Sequence, residues 1–205
     1  TVYSFWAGMS KLLLWKHFYF TFTVLMMSGL QLPNSVYLVG FVITLALYWT
    51  TFRTQVPFYP SRPAIWRQVA AVIPQGRPLR VVDIGSGLGD LSMYLAQLRP
   101  DCLIEGVEIA PVPWIISKLR AKLKQSRAVF KMEDYHALNF ADYDVILAYL
   151  SPAAMQALWD KAKSEMCVGS LLISYEFDIE GVLPTEVIES DGRAEKLFVW
   201  RCGEA

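Results

Sequence analysis

The fold is decided by the stretch Leu79-Arg80-Val81-Val82-Asp83-Ile84-Gly85-Ser86-Gly87-Leu88-Gly89-Asp90. An apolar, largely β-branched run ends in an acid, a glycine loop follows, and leucines then recur at helical spacing. This order predicts a strand, a turn and a helix. Glycines adopt positive φ and let a ligand approach the backbone closely. The helix N-terminus offers free N–H groups to a carboxylate or phosphate.

A second predicted strand strengthens this interpretation of the glycine loop. It covers Leu103 to Glu108 and ends in an acid. In nucleotide-binding α/β folds, an acid about 20 residues beyond the glycines accepts hydrogen bonds from the ribose hydroxyls. The sequence therefore predicts that Glu108 binds a ribose, with Asp83 organising the loop.

The rest of the chain alternates between strand and helix patterns. Further strands are predicted at 128–132, 144–150 and 169–175, and a helix at 114–124 carries apolar residues at Ile115, Leu119 and Leu123. The last predicted unit is a hairpin over 185–201 with its turn at Asp191-Gly192. Alternating strands and helices favour a parallel sheet. The expected fold is a Rossmann-like, doubly wound α/β domain whose sheet ends in an antiparallel hairpin.

Over Pro57 to Cys202 the sequence resembles the class I methyltransferases, whose seven-stranded sheet ends in an antiparallel strand. This resemblance implies S-adenosylmethionine (SAM) as the cofactor. The residues that it assigns to the cofactor are Asp83, Gly85, Ser86, Gly87 and Gly89 at the first motif, Glu108 at the ribose, and Glu133 and Asp134 at the adenine. Ile109 and Tyr59 are also expected to bind the cofactor.

A narrower resemblance rests on the aromatic and proline-rich segment Val56–Ser61 and on the apolar N-terminal region. Both features resemble the membrane-anchored lysine methyltransferases that act on the ATP synthase c-subunit and the adenine nucleotide translocase, and their prokaryotic relatives. Their short apolar motif after strand four corresponds to Ala148–Pro152, which implies that Tyr149, Ser151 and Pro152 line the catalytic acceptor site. The sequence departs from that family at Gly87–Asp90, where Gly-Asp-Gly is common.

Two apolar runs precede this domain, His17–Leu30 and Val36–Phe52, and the uncharged loop Gln31–Ser35 separates them. A bilayer-spanning helix needs roughly 20 apolar residues, with about 17 as a lower limit. The runs predict a transmembrane helical hairpin. A helical pair packed on a soluble core and an interfacial hairpin that does not cross are the alternatives.

Charge is distributed unevenly along the chain. No acid precedes Asp83, while seven Lys and Arg residues do. Basic residues flank the apolar runs, so the positive-inside rule predicts cytosolic ends and a catalytic domain on the cytosolic side of the cytoplasmic (inner) membrane. The basic residues from Lys118 to Arg127 are interpreted as a solvated helix face, with a lipid-surface role as the alternative. This distribution argues against a nucleic-acid-binding protein, and the scattered cysteines and two histidines argue against a metal site.

Three domains are expected: a membrane anchor at 1–53, a neck at 54–78 and the SAM-binding domain at 79–205. Three prolines stiffen the neck, where Phe58, Tyr59 and Ser61 are predicted to fold over the cofactor or the substrate. A plain linker followed by a packing helix is the alternative.

The sequence contains no obvious general base. Methyl transfer from a sulfonium depends mainly on positioning and desolvation, so this absence is compatible with transfer to nitrogen. The predicted function is a membrane-anchored protein-lysine N-methyltransferase whose target lies in or near the membrane. A small-molecule or lipid methyltransferase and a non-catalytic SAM-binding scaffold are the alternatives.

Overall fold

The computed structural model describes residues 29, 32–54, 62–189 and 196–203. The chain divides into two compact units, Thr1–Leu45 and Ala46–Ala205. The domain boundaries expected from the sequence stay predictions.

The second apolar run forms helix α1, Asn34–Thr54. Its large apolar side chains between Val36 and Leu45 are exposed. The first run lies, apart from Gly29, outside the described residues. Among the residues that the structure describes, no helix combines the length and apolarity needed to cross a bilayer. The helix predicted at the second run is therefore confirmed, whereas the predicted transmembrane hairpin is not.

The second unit is built on a mixed sheet that has seven strands within the described ranges. The strands are β1 Arg80–Ile84, β2 Leu103–Glu108, β3 Val129–Met132, β4 Val145–Ala148, β5 Leu171–Tyr175, β6 Glu186–Glu189 and β7 Lys196–Arg201. Their order is β3-β2-β1-β4-β5-β7-β6. Strands β1 to β5 pair in parallel, and β7 is antiparallel to both β5 and β6. The predicted sheet with its antiparallel hairpin is confirmed.

Helices cover both faces of this sheet. They are α2 Pro63–Val72, α3 Asp90–Leu98, α4 Pro111–Leu123 and α5 Pro152–Glu165, with short 3₁₀ turns at Tyr135–Ala137 and Phe140–Asp142. Proline begins α2, α4 and α5. Its fixed φ suits the first helical turn, where its missing N–H leaves no hydrogen bond unmade.

The core has two halves, one on each face of the sheet. Neighbouring residues of β1 point to opposite faces, so Val81 packs into one half and Val82 into the other. The first half includes Leu95 of α3, and the second includes Leu158 of α5. Burial of a parallel sheet on both faces is typical of doubly wound folds, and this prediction too is confirmed.

Helix α4 is confirmed, but its apolar positions do not face the core. Apolar residues at helical spacing usually mark the buried face of a helix. Here Ile115, Leu119 and Leu123 are 55%, 57% and 75% exposed, and the buried residues of the helix are Ser117 and Ala121. The close approach of Ser117 to the Gly89 backbone leaves room only for small side chains at that position.

Candidate functional site

The glycine loop joins the carboxyl end of β1 to the start of α3. Gly85, Gly87 and Gly89 have φ of +72°, +54° and +77°, a region that other residues adopt only with strain. The backbone N–H groups of Gly85 and Ser86 donate to the Val107 carbonyl on β2, at 2.9 and 3.1 Å. The loop is therefore fixed over the carboxyl ends of two adjacent strands, where ligands bind in open α/β sheets.

The ring of Phe130, on β3, lies against two of the glycines. A Cβ added to Gly89 would lie 2.4 Å from Phe130 Cζ, and one added to Gly106 would lie 2.5 Å from Phe130 Cε1. Side chains at these positions would overlap the ring, so the packing of β3 onto β2 and the glycine loop requires both glycines.

Glu108, at the carboxyl end of β2, links the glycine loop to the start of helix α4. Its Oε2 accepts a hydrogen bond from the Gly87 N–H at 2.9 Å, and its Oε1 accepts one from the Ala110 N–H at 2.8 Å. Burial raises the pKa of this carboxyl, although the backbone donors oppose the shift. A carboxylate has about four acceptor positions, so Glu108 can also accept the two ribose hydroxyls that the sequence assigns to it.

Asp83, near the carboxyl end of β1, is buried beneath the loop. Its exposed fraction is 5%, and the Ser92 hydroxyl of α3 donates to Asp83 Oδ2 at 2.6 Å. Burial, which outweighs the opposing effect of the Ser92 hydrogen bond and is assisted by the charge of Glu108, raises the pKa of Asp83 to about 7. Asp83 thus ties strand β1 to helix α3 and exchanges its proton near neutral pH.

The raised pKa of Asp83 predicts a pH-dependent stability. A carboxyl with a higher pKa in the folded state contributes stability that is present below its ordinary pKa of 3.8 and is lost as pH rises through about 7. The free energy of unfolding should therefore decline across this interval. Asp83→Asn keeps an acceptor for Ser92 and removes the titration, so its profile should be flatter. Urea unfolding of both proteins from pH 4 to pH 8 measures this difference; parallel profiles would contradict the assignment.

Two serine hydroxyls at neighbouring strand ends lack a protein partner. Among the described residues, Ser86 Oγ in the glycine loop and Ser151 Oγ after β4 are buried and make no hydrogen bond. Burying a hydroxyl without a partner has a free-energy cost. Both hydroxyls lie beyond the carboxyl ends of adjacent parallel strands, so they fit a site that binds a polar ligand.

Tyr149, which follows β4, forms a polar and aromatic group with the end of β5. Its hydroxyl donates to Glu176 Oε2 at 2.7 Å, and its ring centroid lies 4.4 Å from that of Tyr175 and 6.2 Å from that of Phe177. Glu176 is exposed and has a φ of +73°, which costs a non-glycine residue free energy. Its N–H donates to the Lys196 carbonyl of β7 at 2.7 Å, which holds the strained backbone in place.

Glu176 and Arg120 are site residues that the sequence did not indicate. Arg120 of α4 donates from Nη1 to the Leu88 carbonyl at 2.8 Å and to Asp90 Oδ2 at 3.0 Å. It therefore holds the second half of the glycine loop and is not part of a solvated face. An acid directly after β5 was the available signal for Glu176. Arg120 could be distinguished from its basic neighbours only by its three-dimensional contacts.

The remaining predicted residues have varied surroundings. Ile109 is 39% exposed beside Glu108, and the Glu133 N–H donates to the Glu108 carbonyl at 3.3 Å. Asp134 is exposed and caps a 3₁₀ turn by accepting from the His136 N–H. Pro152 begins α5. Tyr59 lies outside the described residues.

Within the described ranges, no group of three or more His, Cys, Asp or Glu side chains could hold a metal ion.

The sequence matches a family described as the ANTKMT methyltransferase domain over residues 83–186. It is also similar to the adenine nucleotide translocase lysine N-methyltransferase of Mus musculus, with 30% identity over 144 residues. That alignment covers 66% of this chain and 59% of the mouse protein. The chain thus spans about three fifths of the length of this curated relative.

Solved structures share the fold. An RNA methyltransferase from Salinibacter ruber, in complex with S-adenosyl-L-homocysteine, has a TM-score of 0.64 at 20% identity, covering 72% of this chain and 95% of that one. A precorrin-6y C5,15-methyltransferase from Geobacter metallireducens has a TM-score of 0.56 at 13% identity, covering 69% of this chain and 90% of that one. Both similarities show the fold alone.

Proposed function

We infer the function from one premise: the chain belongs to the ANTKMT methyltransferase domain family. It is a SAM-dependent methyltransferase of class I, as the sequence predicted. We propose that it methylates the side-chain nitrogen of a lysine in a protein. The observation that carries this proposal is the 30% identity to a lysine N-methyltransferase.

SAM supplies a methyl group on a sulfonium centre, and this chain supplies its binding site. The glycine loop would allow close approach of the ligand, and Glu108 would accept the ribose hydroxyls. Ser86 and Ser151 would offer buried hydroxyls that make no hydrogen bond to the described residues. Asp83 acts indirectly, because its hydrogen bond to Ser92 fixes the loop between β1 and α3. Ile109, Glu133 and Asp134 follow β2 and β3, on the side where the adenine is expected.

The acceptor end of the site is assigned to Tyr149 and Glu176. A lysine arrives as an ammonium ion, which a carboxylate and the faces of aromatic rings both attract. The Tyr149 hydroxyl donates to Glu176 Oε2, so Oε1 is the oxygen that we assign to the ammonium. The ammonium must give a proton to water before the nitrogen lone pair can attack the methyl carbon. Tyr149 and Glu176 would position the nitrogen for that step.

Removing the Glu176 charge should lower turnover and leave cofactor binding unchanged. A hydrogen bond between charged groups contributes about 1.5–3 kcal/mol, so Glu176→Gln should reduce kcat/KM for the protein acceptor roughly tenfold. Tyr149→Phe should have a similar but smaller effect. Initial rates with labelled SAM measure turnover, and calorimetry measures SAM affinity.

Glu180→Gln is the matched control, since Glu180 is another exposed acid in the segment after β5. It should retain the rate of the unaltered protein. An unchanged rate in Glu176→Gln would remove the structural basis for a cationic acceptor. A parallel loss of SAM affinity would instead reassign Glu176 to the cofactor.

The decisive experiment for the function identifies the methylated product. The purified full chain is incubated with labelled SAM and a membrane fraction. Label that stays with protein and appears in methylated lysine after hydrolysis supports the proposal. Label that extracts into organic solvent favours a small-molecule or lipid methyltransferase. SAM binding without any transfer favours a non-catalytic scaffold.

We also propose that the apolar N-terminal region attaches the protein to the cytoplasmic membrane, with the catalytic unit in the cytosol and a membrane-proximal protein as its target. Two observations support this proposal. Apolar side chains of α1 are exposed, among them Leu38 and Phe41 with exposed fractions of 62% and 63%, and the sequence has no acid before Asp83.

Release of the protein from membranes by alkaline carbonate would contradict the attachment. Labelling of Asn34→Cys by an impermeant thiol reagent only after lysis would contradict the orientation.

A further inference from the structure

Helix α4 carries an exposed apolar surface, which we call the α4 stripe. It consists of Ile115, Ile116, Leu119 and Leu123, whose exposed fractions are 55%, 38%, 57% and 75%. At 100° per residue these side chains fall within one sector of the helix, roughly a quarter of its circumference. Contiguous apolar patches on a protein surface usually mark an interaction site.

The contacts of the opposite face of α4 hold the stripe outward. Ser117 and Ala121 are buried, and the Trp114 indole N–H donates to the Phe130 carbonyl at 3.2 Å. Arg120 is bound to Leu88 and Asp90. Rotating the helix to bury the stripe would break these contacts and would bring large side chains against the Gly89 backbone.

The charge beside the stripe has one sign. Residues 111–127 contain five Lys and Arg residues and no acid. Lys118 and Lys122 are exposed, and helical geometry puts both next to the stripe on the side of Ile115. Lys118 Nζ lies 4.9 Å from the centroid of the Trp114 ring. An apolar face with lysines along its border is typical of helices that lie in the interface of a bilayer.

We propose that α4 lies on an anionic lipid surface, with the stripe in the headgroup region and Lys118 and Lys122 at the lipid phosphates. The lysines favour lipid over a protein partner, because each contributes electrostatic attraction to an anionic leaflet. This contact belongs to the catalytic unit itself, so it is independent of the attachment proposed for the N-terminal region. It also does not depend on the identity of the methyl acceptor.

The test places a fluorescent reporter on the stripe of the full chain. The three native cysteines, Cys102, Cys167 and Cys202, are replaced by alanine, and SAM affinity verifies the fold of this background. Leu119→Cys is then labelled with an environment-sensitive dye. Leu183→Cys, at a position 93% exposed, is the matched control. Both proteins are reconstituted in vesicles of phosphatidylcholine with or without phosphatidylserine, and quenching by brominated lipid is measured.

The dye at position 119 should be quenched in vesicles that contain phosphatidylserine, and the dye at 183 should not. Lys118→Glu combined with Lys122→Glu should lower the partition constant of the labelled surface for anionic lipid about 30-fold or more. Equal quenching at 119 and 183 would overturn the proposal. Two other results would also overturn the proposal. Shielding of the dye from water that increases with protein concentration in the absence of lipid would indicate that the stripe binds a second copy of the chain. Shielding that appears only when a membrane protein is added would indicate a protein partner. These readouts do not involve methyl transfer, so a failed activity assay leaves them intact.

Discussion

Replacing Glu108 by alanine is expected to weaken SAM binding roughly 100-fold or more, because a charged hydrogen bond contributes about 1.5–3 kcal/mol and this carboxylate is assigned two from the ribose. The substitution also removes the acceptor that holds the Gly87 and Ala110 N–H groups. The loop would then be less well ordered before the ligand arrives. Glu108→Gln keeps one carbonyl oxygen and should have an intermediate affinity. Isothermal titration calorimetry with SAM and S-adenosylhomocysteine measures the three proteins.

Glu105 is the matched control for this substitution. It lies on the same strand, three residues before the strand end, and is more deeply buried than the half-buried Glu108. Its carboxylate accepts from Lys131 Nζ at 2.9 Å and from the Tyr143 hydroxyl at 2.7 Å. Glu105→Gln should therefore reduce the free energy of unfolding and leave SAM affinity unchanged. If Glu108→Ala and Glu105→Gln had the same SAM affinity, the ribose would have to bind elsewhere.

Replacing Gly89 by alanine is expected to reduce the free energy of unfolding by about 3 kcal/mol, from the strain of a left-handed backbone and from overpacking. The φ of Gly89 is +77°, and its new Cβ would lie 2.4 Å from Phe130 Cζ. SAM binding should fall as well, because relief of the overlap moves either the glycine loop or β3. Urea unfolding monitored by circular dichroism measures the stability.

Gly181→Ala separates the two contributions. Gly181 has a φ of +72°, close to that of Gly89, but a Cβ there would meet no atom within 4 Å. In this variant the free energy of unfolding should fall only by the cost of placing alanine in a left-handed backbone conformation, about 1 kcal/mol. The difference between the two variants then measures the overlap with the Phe130 ring. Equal losses would show that the ring moves aside freely and that the contact does not constrain the loop.

Much of this fold could be predicted because its signals are local. The acid and glycines from Asp83 to Gly89 specify a strand, a turn and a helix within one short stretch. Glu108 could be assigned because it ends the next strand, and parallel strands bring their carboxyl ends together. The turn between β6 and β7 was likewise predicted from Asp191-Gly192, although these two residues lie outside the described ranges.

The features that could not be predicted depend on contacts between distant segments. Glu176 becomes a candidate acceptor residue only through the Tyr149 hydroxyl, 27 positions earlier in the chain. Arg120 resembles its basic neighbours in sequence, and only its bonds to Leu88 and Asp90 distinguish it. The α4 stripe has the periodicity of a buried face, yet the tight space beside Gly89 admits only the small side chains on the other side of the helix.

The position of β7 has a consequence for biosynthesis. Within the described residues β6 pairs only with β7, and β7 also completes the edge of β5. While the ribosome is still producing the segment before Lys196, β6 therefore has no strand to join and β5 presents an unpaired edge, a known template for aggregation. The glycine loop and Glu108 have by then long been translated. A nascent chain could therefore begin to form its cofactor-binding half before β7, whose Lys196 carbonyl accepts from the Glu176 N–H, has been synthesised. Arrest of translation before Lys196 should yield a species that depends on chaperones for solubility.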